Sequence, residues 1–153
     1  MDTQAKAAPA AFDIDNLDAI TLGDQGADCK IMNPSSGSYT GITVRIKGAF
    51  APAFQERLAR VKRKEAIRQR NAVARAVAPD DDDETSRVLA EMTLGWSTMI
   101  GEGEQAKPEP VLIMRGERLQ FTRENAVKVY EAYPVIRGQV FAFAMDTANF
   151  TKG

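Results

Sequence analysis

The 153-residue sequence predicts an α+β fold, mostly α: a small N-terminal antiparallel β-sheet, one long charged helix and a C-terminal bundle of about three helices. Three observations carry this. Ile42, Val44 and Ile46 alternate with Thr43, Arg45 and Lys47, the period of a half-buried strand. Phe54, Leu58 and Val61 form one apolar stripe in a stretch otherwise rich in Arg and Lys. Leu89, Met92, Trp96 and Met99 fall at i, i+3, i+7 and i+10, which places them on one helical face.

Taken in order, residues 1–17 are Ala-rich with Pro9 and read as a flexible N-terminus. Residues 18–50 form the small β element. Ala19-Ile20-Thr21-Leu22 is a short strand closed by Gly23 to Gly26, and Ala27 to Met32 is a second strand. Asn33-Pro34-Ser35-Ser36-Gly37 supplies the residue types of a turn. Ile42 to Lys47 is the third strand, ended by Gly48. A sheet this small is marginal alone, so its apolar face should lie on a helix.

Residues 51–79 form the long basic helix. Pro52 suits a first helical turn, and Ala78-Pro79 stops it. The stripe thins beyond Val61, so the first half should pack and the second half protrude. Residues 80–153 form the bundle. Asp80 to Glu84 reads as a linker or as the acidic start of the next helix, with Thr85 a further cap candidate. Gly101 to Pro110 reads as a mobile loop. Val111 to Met114 is a short apolar run compatible with helix or strand. Thr122 is the predicted N-cap of a helix whose inner face holds Ala126, Val129, Tyr130 and Tyr133. Pro134 ends that helix and starts the last, over residues 135–147.

Composition bounds the chemistry. The apolar fraction is 44%, the charged fraction 27% and the net charge −1, ordinary values for a soluble globular chain. The charge is unevenly placed. Asp dominates the first 28 residues, basic residues dominate 51–77, and 80–84 reads Asp-Asp-Asp-Asp-Glu. The single cysteine, Cys29, forbids an intramolecular disulfide. There is no histidine, which removes Ser-His-Asp and Cys-His catalysis and His-based zinc sites. No apolar run reaches the roughly 18 residues of a membrane span. Met1-Asp2-Thr3-Gln4 lacks the basic and apolar regions of a signal peptide. The expectation is a cytoplasmic protein that is not an enzyme, with no cofactor and no metal.

The run Arg60-Val61-Lys62-Arg63-Lys64 could hold a phosphate backbone. Its charges surround the helix instead of forming a stripe, and no aromatics are interleaved for base stacking. This favours a solvated helix, or one pairing with acidic protein segments, over nucleic acid. The contiguous acidic run lacks the spacing of a calcium loop. Gly101-Glu102-Gly103-Glu104 lacks the Lys-Ser/Thr and the preceding strand of a phosphate loop. Cys29 reads as a buried structural thiol. Met92, Trp96 and Met99 read as core, and any exposed part of that face as an adaptable docking surface. The partner-binding candidates are therefore Arg60, Lys62, Arg63, Lys64, Met92, Trp96 and Met99.

Asn33-Pro34-Ser35-Ser36-Gly37 followed by Thr40-Gly41-Ile42-Thr43-Val44 resembles the hairpin that opens a group of small tailed-bacteriophage proteins. The basic helix and the pattern Gly95-Trp96, Phe121-Thr122-x-Glu124-Asn125, a helix, a Pro and a closing Asn149-Phe150 extend the resemblance over residues 18–150. The chain thus resembles the tail assembly chaperones of long non-contractile-tailed phages. The resemblance implies a non-enzymatic protein of the infected host cytoplasm that binds the tape measure protein and helps recruit tail tube subunits. It leaves open a homo-oligomer, a frameshifted longer form and the identity of the client segment. Two other classes stand beside it: a virion structural protein, such as a head–tail connector or minor tail component, and a DNA-associated packaging or regulatory factor.

Overall fold

The structure, a computed structural model, describes residues 11–70 and 81–152, with backbone alone for 81–83. A 3₁₀ turn, Ile14–Leu17, leads into α1 (Ala19–Gln25). Strands β1 (Ala27–Met32) and β2 (Tyr39–Ile46) follow, then the helices α2 (Pro52–Arg70) and α3 (Asp81–Met92). Next come β3 (Thr93–Ile100), β4 (Lys107–Glu109), β5 (Val111–Met114) and β6 (Glu117–Gln120). The chain closes with α4 (Arg123–Ala132), α5 (Pro134–Met145) and a 3₁₀ turn, Thr147–Phe150.

Two antiparallel sheets result. One is four-stranded in the order β1-β2-β3-β4, and the other is the hairpin β5-β6. Val44 lies between Cys29 and Trp96 across the larger sheet, and all three are buried. Helix α5 packs on β1 and β2, while α3 packs on α4 and both contact α5. The fold is thus a layer of helices over one face of a sheet, with the core between them. Its largest fully buried side chains include Tyr130, Phe54, Ile46 and Leu89. The other sheet face is polar where β1 and β2 meet. There Arg45 pairs with Asp28, and the Lys30 ammonium stands over the Tyr39 ring.

Individual junctions show why the chain closes this way. The Gln139 side chain of α5 bonds both Met32 N–H (2.8 Å) and Met32 C=O (2.7 Å), satisfying part of the exposed β1 edge. Gly48 lets Phe150 approach: a Cβ there would stand 2.9 Å from the ring. Phe150 also meets Phe143 edge-to-face at 5.6 Å, which ties the C-terminus to the core. Tyr130 O–H donates to Thr93 Oγ1 (2.7 Å), which donates in turn to Leu89 C=O (2.6 Å). This chain satisfies buried polar groups at the α3–β3 junction.

The predicted architecture is corrected on several points. There is no C-terminal three-helix bundle on a separate N-terminal sheet. Residues 93–120 supply four strands, two of which complete the sheet begun by β1 and β2. The face drawn through Leu89, Met92, Trp96 and Met99 is not one helix, because α3 ends at Met92. Thr93 is β-branched, and Gly95 weakens helix by about 1 kcal/mol. β2 would otherwise keep an edge of unpaired N–H and C=O groups, which β3 fills. Ala19 to Leu22 is helix, not strand. Asp18 caps it by accepting from Thr21 N–H, and this bond lowers the Asp18 pKa. Thr85 lies inside α3 and does not cap it. The loop Gly101–Pro110 contains β4, and Val111 to Met114 is strand. The β5-β6 hairpin turns on Arg115 (φ 52°) and Gly116 (φ 81°), the two positive dihedrals a tight two-residue turn requires. The long helix is described as far as Arg70, and residues 71–77 lie outside the described residues. Thr122 does cap α4, accepting from Asn125 N–H, and Pro134 opens α5.

Candidate partner-binding groove

Helices α2 and α3 are joined by an ion-pair network. Arg57 is on the inward stripe of α2 with Phe54, Leu58 and Val61 and is buried. Its Nε–H donates to Glu91 Oε2 (2.8 Å), and one terminal N–H donates to Glu84 Oε1 (3.2 Å). Arg87 and Lys64 also reach Glu84, at 3.3 and 3.7 Å, and Arg123 reaches Glu91 at 3.1 Å. Burial works against the Glu84 carboxylate. The Arg57 hydrogen bond and the charges of Lys64, Arg57 and Arg87 outweigh it and hold the pKa below the usual glutamate value. Burial likewise acts to lower the Arg57 pKa, but Glu91 and then Glu84 carry it above the usual arginine value. Glu84 is therefore a structural anchor and not part of a solvated linker.

Beside this network α2, α3 and α5 leave a groove open. Leu58, Val61, Val88 and Phe141 make its apolar lining, and Lys64, Glu65, Arg68, Glu84 and Thr85 make its rim. Its volume is about 260 Å³. That is below the roughly 300–1,000 Å³ of small-molecule pockets, and suits side chains inserted from a partner. Phe141 is partly exposed at 37%. Lys62 follows Leu58 by four residues, so it stands over the same row on the outer side of the groove. Arg60, Lys62, Arg63 and Arg70 are exposed and have no ion-pair partner among the described residues.

The residues proposed from sequence separate here. Lys64 lines the groove, and Lys62, one turn after Leu58 on α2, is exposed outside that lining. Arg60 shares a shallow depression with Met92, Phe121 and Arg123 on the other side of α2. Arg63 is exposed and lines neither. Met92 is buried, and so is Trp96, which donates from Nε1 to Leu119 C=O (3.1 Å) and meets Phe121 edge-to-face at 5.2 Å. Neither offers a docking surface in this state. Met99 is exposed on the far face of the sheet, against Gly41. The groove residues the sequence reading missed are Arg57, Glu84, Val88 and, as a surface residue, Phe141. One signal was available: a charge on the apolar stripe of α2, and two Glu seven residues apart, two turns of a facing helix.

Other features carry no chemistry. Cys29 is buried, its thiol is 3.9 Å from Gln139 C=O, and burial pushes its pKa up to about 11. Burial also raises the Tyr130 pKa. Among the described residues no group of three His, Cys, Asp or Glu could hold a metal, and no helix is long and apolar enough to cross a membrane. Compared with known protein families, with curated proteins and with solved structures, the chain shows no match.

Proposed function

We propose that this chain is a tail assembly chaperone of a long-tailed bacteriophage, a non-enzymatic protein of the host cytoplasm. It binds the tape measure protein and helps recruit tail tube subunits during tail morphogenesis. The motifs of residues 18–150 suggest the role. The groove between α2, α3 and α5 is the observation that carries it. Its apolar lining and mixed-charge rim suit an amphipathic helix laid along α2, with apolar side chains inserted between Leu58, Val61, Val88 and Phe141. The exposed cations of α2 add attraction for acidic groups flanking such a stripe. A client held this way keeps its apolar face from water until the tail tube covers it.

Co-expression with the tape measure protein tests the reading. The client should move from the insoluble to the soluble fraction with the wild-type chain, and less so with Val61→Asp. Equal insolubility with and without the chain would refute it. Stoichiometric presence of the chain in purified virions would instead assign it to the particle as a structural protein.

A further inference from the structure

The N-terminal segment leaves a large apolar surface open. Phe12, Ile14, Leu17 and Ile20 are exposed at 57%, 79%, 57% and 58%, four large apolar side chains within nine residues. Ile14 and Leu17 are three apart in a 3₁₀ turn, whose three-residue period sets them on the same side. Exposed apolar residues in such density mark a contact surface. Asp13, Asp15 and Asp18 are interleaved with them, and residues 11–28 hold five Asp and no Lys or Arg. Among the described residues Asp13 and Asp18 accept local hydrogen bonds, from Asp15 and Thr21. None of Asp13, Asp15 and Asp18 has a cationic partner among the described residues.

The complementary surface is on the same chain, and among the described residues no hydrogen bond or ion pair joins residues 12–20 to it. Helix α2 holds seven basic residues against Glu56 and Glu65, and the groove beside it is apolar. The N-terminal segment is tied elsewhere. Asn16 C=O accepts from Lys152 N–H (2.7 Å), and Gly23 C=O accepts from Gly48 N–H (2.9 Å), at the start of α2. The cations extend along α2 to Arg70, about 27 Å from Pro52 at 1.5 Å per residue.

We propose that residues 12–20 of one copy dock in the α2–α3–α5 groove of a second copy. Ile14 and Leu17 enter between Val61, Val88 and Phe141, and Asp13 and Asp15 face Lys62 and Lys64. The contact joins two different surfaces, so it is head-to-tail, and a pair of copies keeps one free segment and one free groove between them. It needs no client, so its failure and that of the chaperone role are separable.

Sedimentation velocity of the purified full chain tests it. The wild type should associate with rising concentration, and at least about tenfold more weakly in high salt than in low salt, as screened charges require. Ile14→Asp/Leu17→Asp and Lys62→Glu/Lys64→Glu should each be monomeric. All four positions are exposed, so circular dichroism should show both variants folded, with a lower melting temperature only for the second, because Lys64 pairs with Glu84. Mixed together, the two variants should form a 1:1 dimer, because one keeps an intact groove and the other an intact segment. A wild type that stays monomeric throughout, a mixture that stays monomeric, or variants that associate as the wild type does would each overturn the proposal.

Discussion

Helices α4 and α2 are both amphipathic, yet they differ in what covers their apolar stripes. In α4 the inner positions Ala126, Val129 and Tyr130 are fully buried, and Thr122 caps the first turn. In α2 only Phe54 and Arg57 reach that state; Leu58 and Val61 are half-buried and Ile67 is exposed. The stripe of α4 is accounted for by the fold of one molecule. Among the described residues that of α2 beyond Arg57 is not, and neither are the exposed cations around it. The difference marks where packing of the monomer ends and a contact surface begins.

The sharpest way to test that boundary starts in the core. Trp96→Ala should cost about 3–5 kcal/mol in urea unfolding, because the indole packs on Phe121 and leaves Leu119 C=O without its donor. A loss under about 1 kcal/mol would place Trp96 on the contact side of the boundary instead. Arg57 is at the boundary itself. Arg57→Leu should cost about 2 kcal/mol, since Glu84 keeps Lys64 and Arg87, and Glu91 keeps Arg123. The same network sets a pH dependence. The Glu84 pKa lies below its usual value of 4.5, so its stabilisation is present above that value and is lost as pH falls through the folded-state pKa. The stability difference between wild type and Glu84→Gln should therefore be full at neutral pH and fade in strong acid. A difference that grows on acidification would contradict the network.

How far these regions were legible in sequence follows from the same physics. Thr122, Pro134 and the alternation Ile42-Val44-Ile46 report local rules, and α4, α5 and β2 form where those rules place them. The stretch Thr93 to Gln120 failed because its decisive interaction is non-local. Trp96 sits at helical spacing from Met92, but it faces Val44 across a ladder whose partner is about fifty residues earlier in the chain. The groove was half legible. Leu58 and Val61 announce a stripe, while Val88 and Phe141 become its opposite walls only after α3 and α5 fold back. Met92 and Trp96 read as core from their spacing, with any exposed part of that face a docking surface, and both are buried.

The smallest expected effect on stability decides most about the groove. Phe141 is on the same helix as Val140 and Ala144, which are fully buried, but it stands one step around, at the groove. Phe141→Ala should cost about 1–2 kcal/mol, well below Trp96→Ala, because a ring left 37% exposed has less burial to lose and leaves no closed cavity. Val140→Ala, its neighbour, gives the internal contrast, with a loss of about 2 kcal/mol from a closed site. Partner binding should move in the opposite order: Phe141→Ala loses a wall that a bound helix would cover, while Val140→Ala keeps the groove surface. A Phe141→Ala loss as large as that of Trp96→Ala would make Phe141 part of the core. The open side of α2 would then be solvated surface and not a docking site.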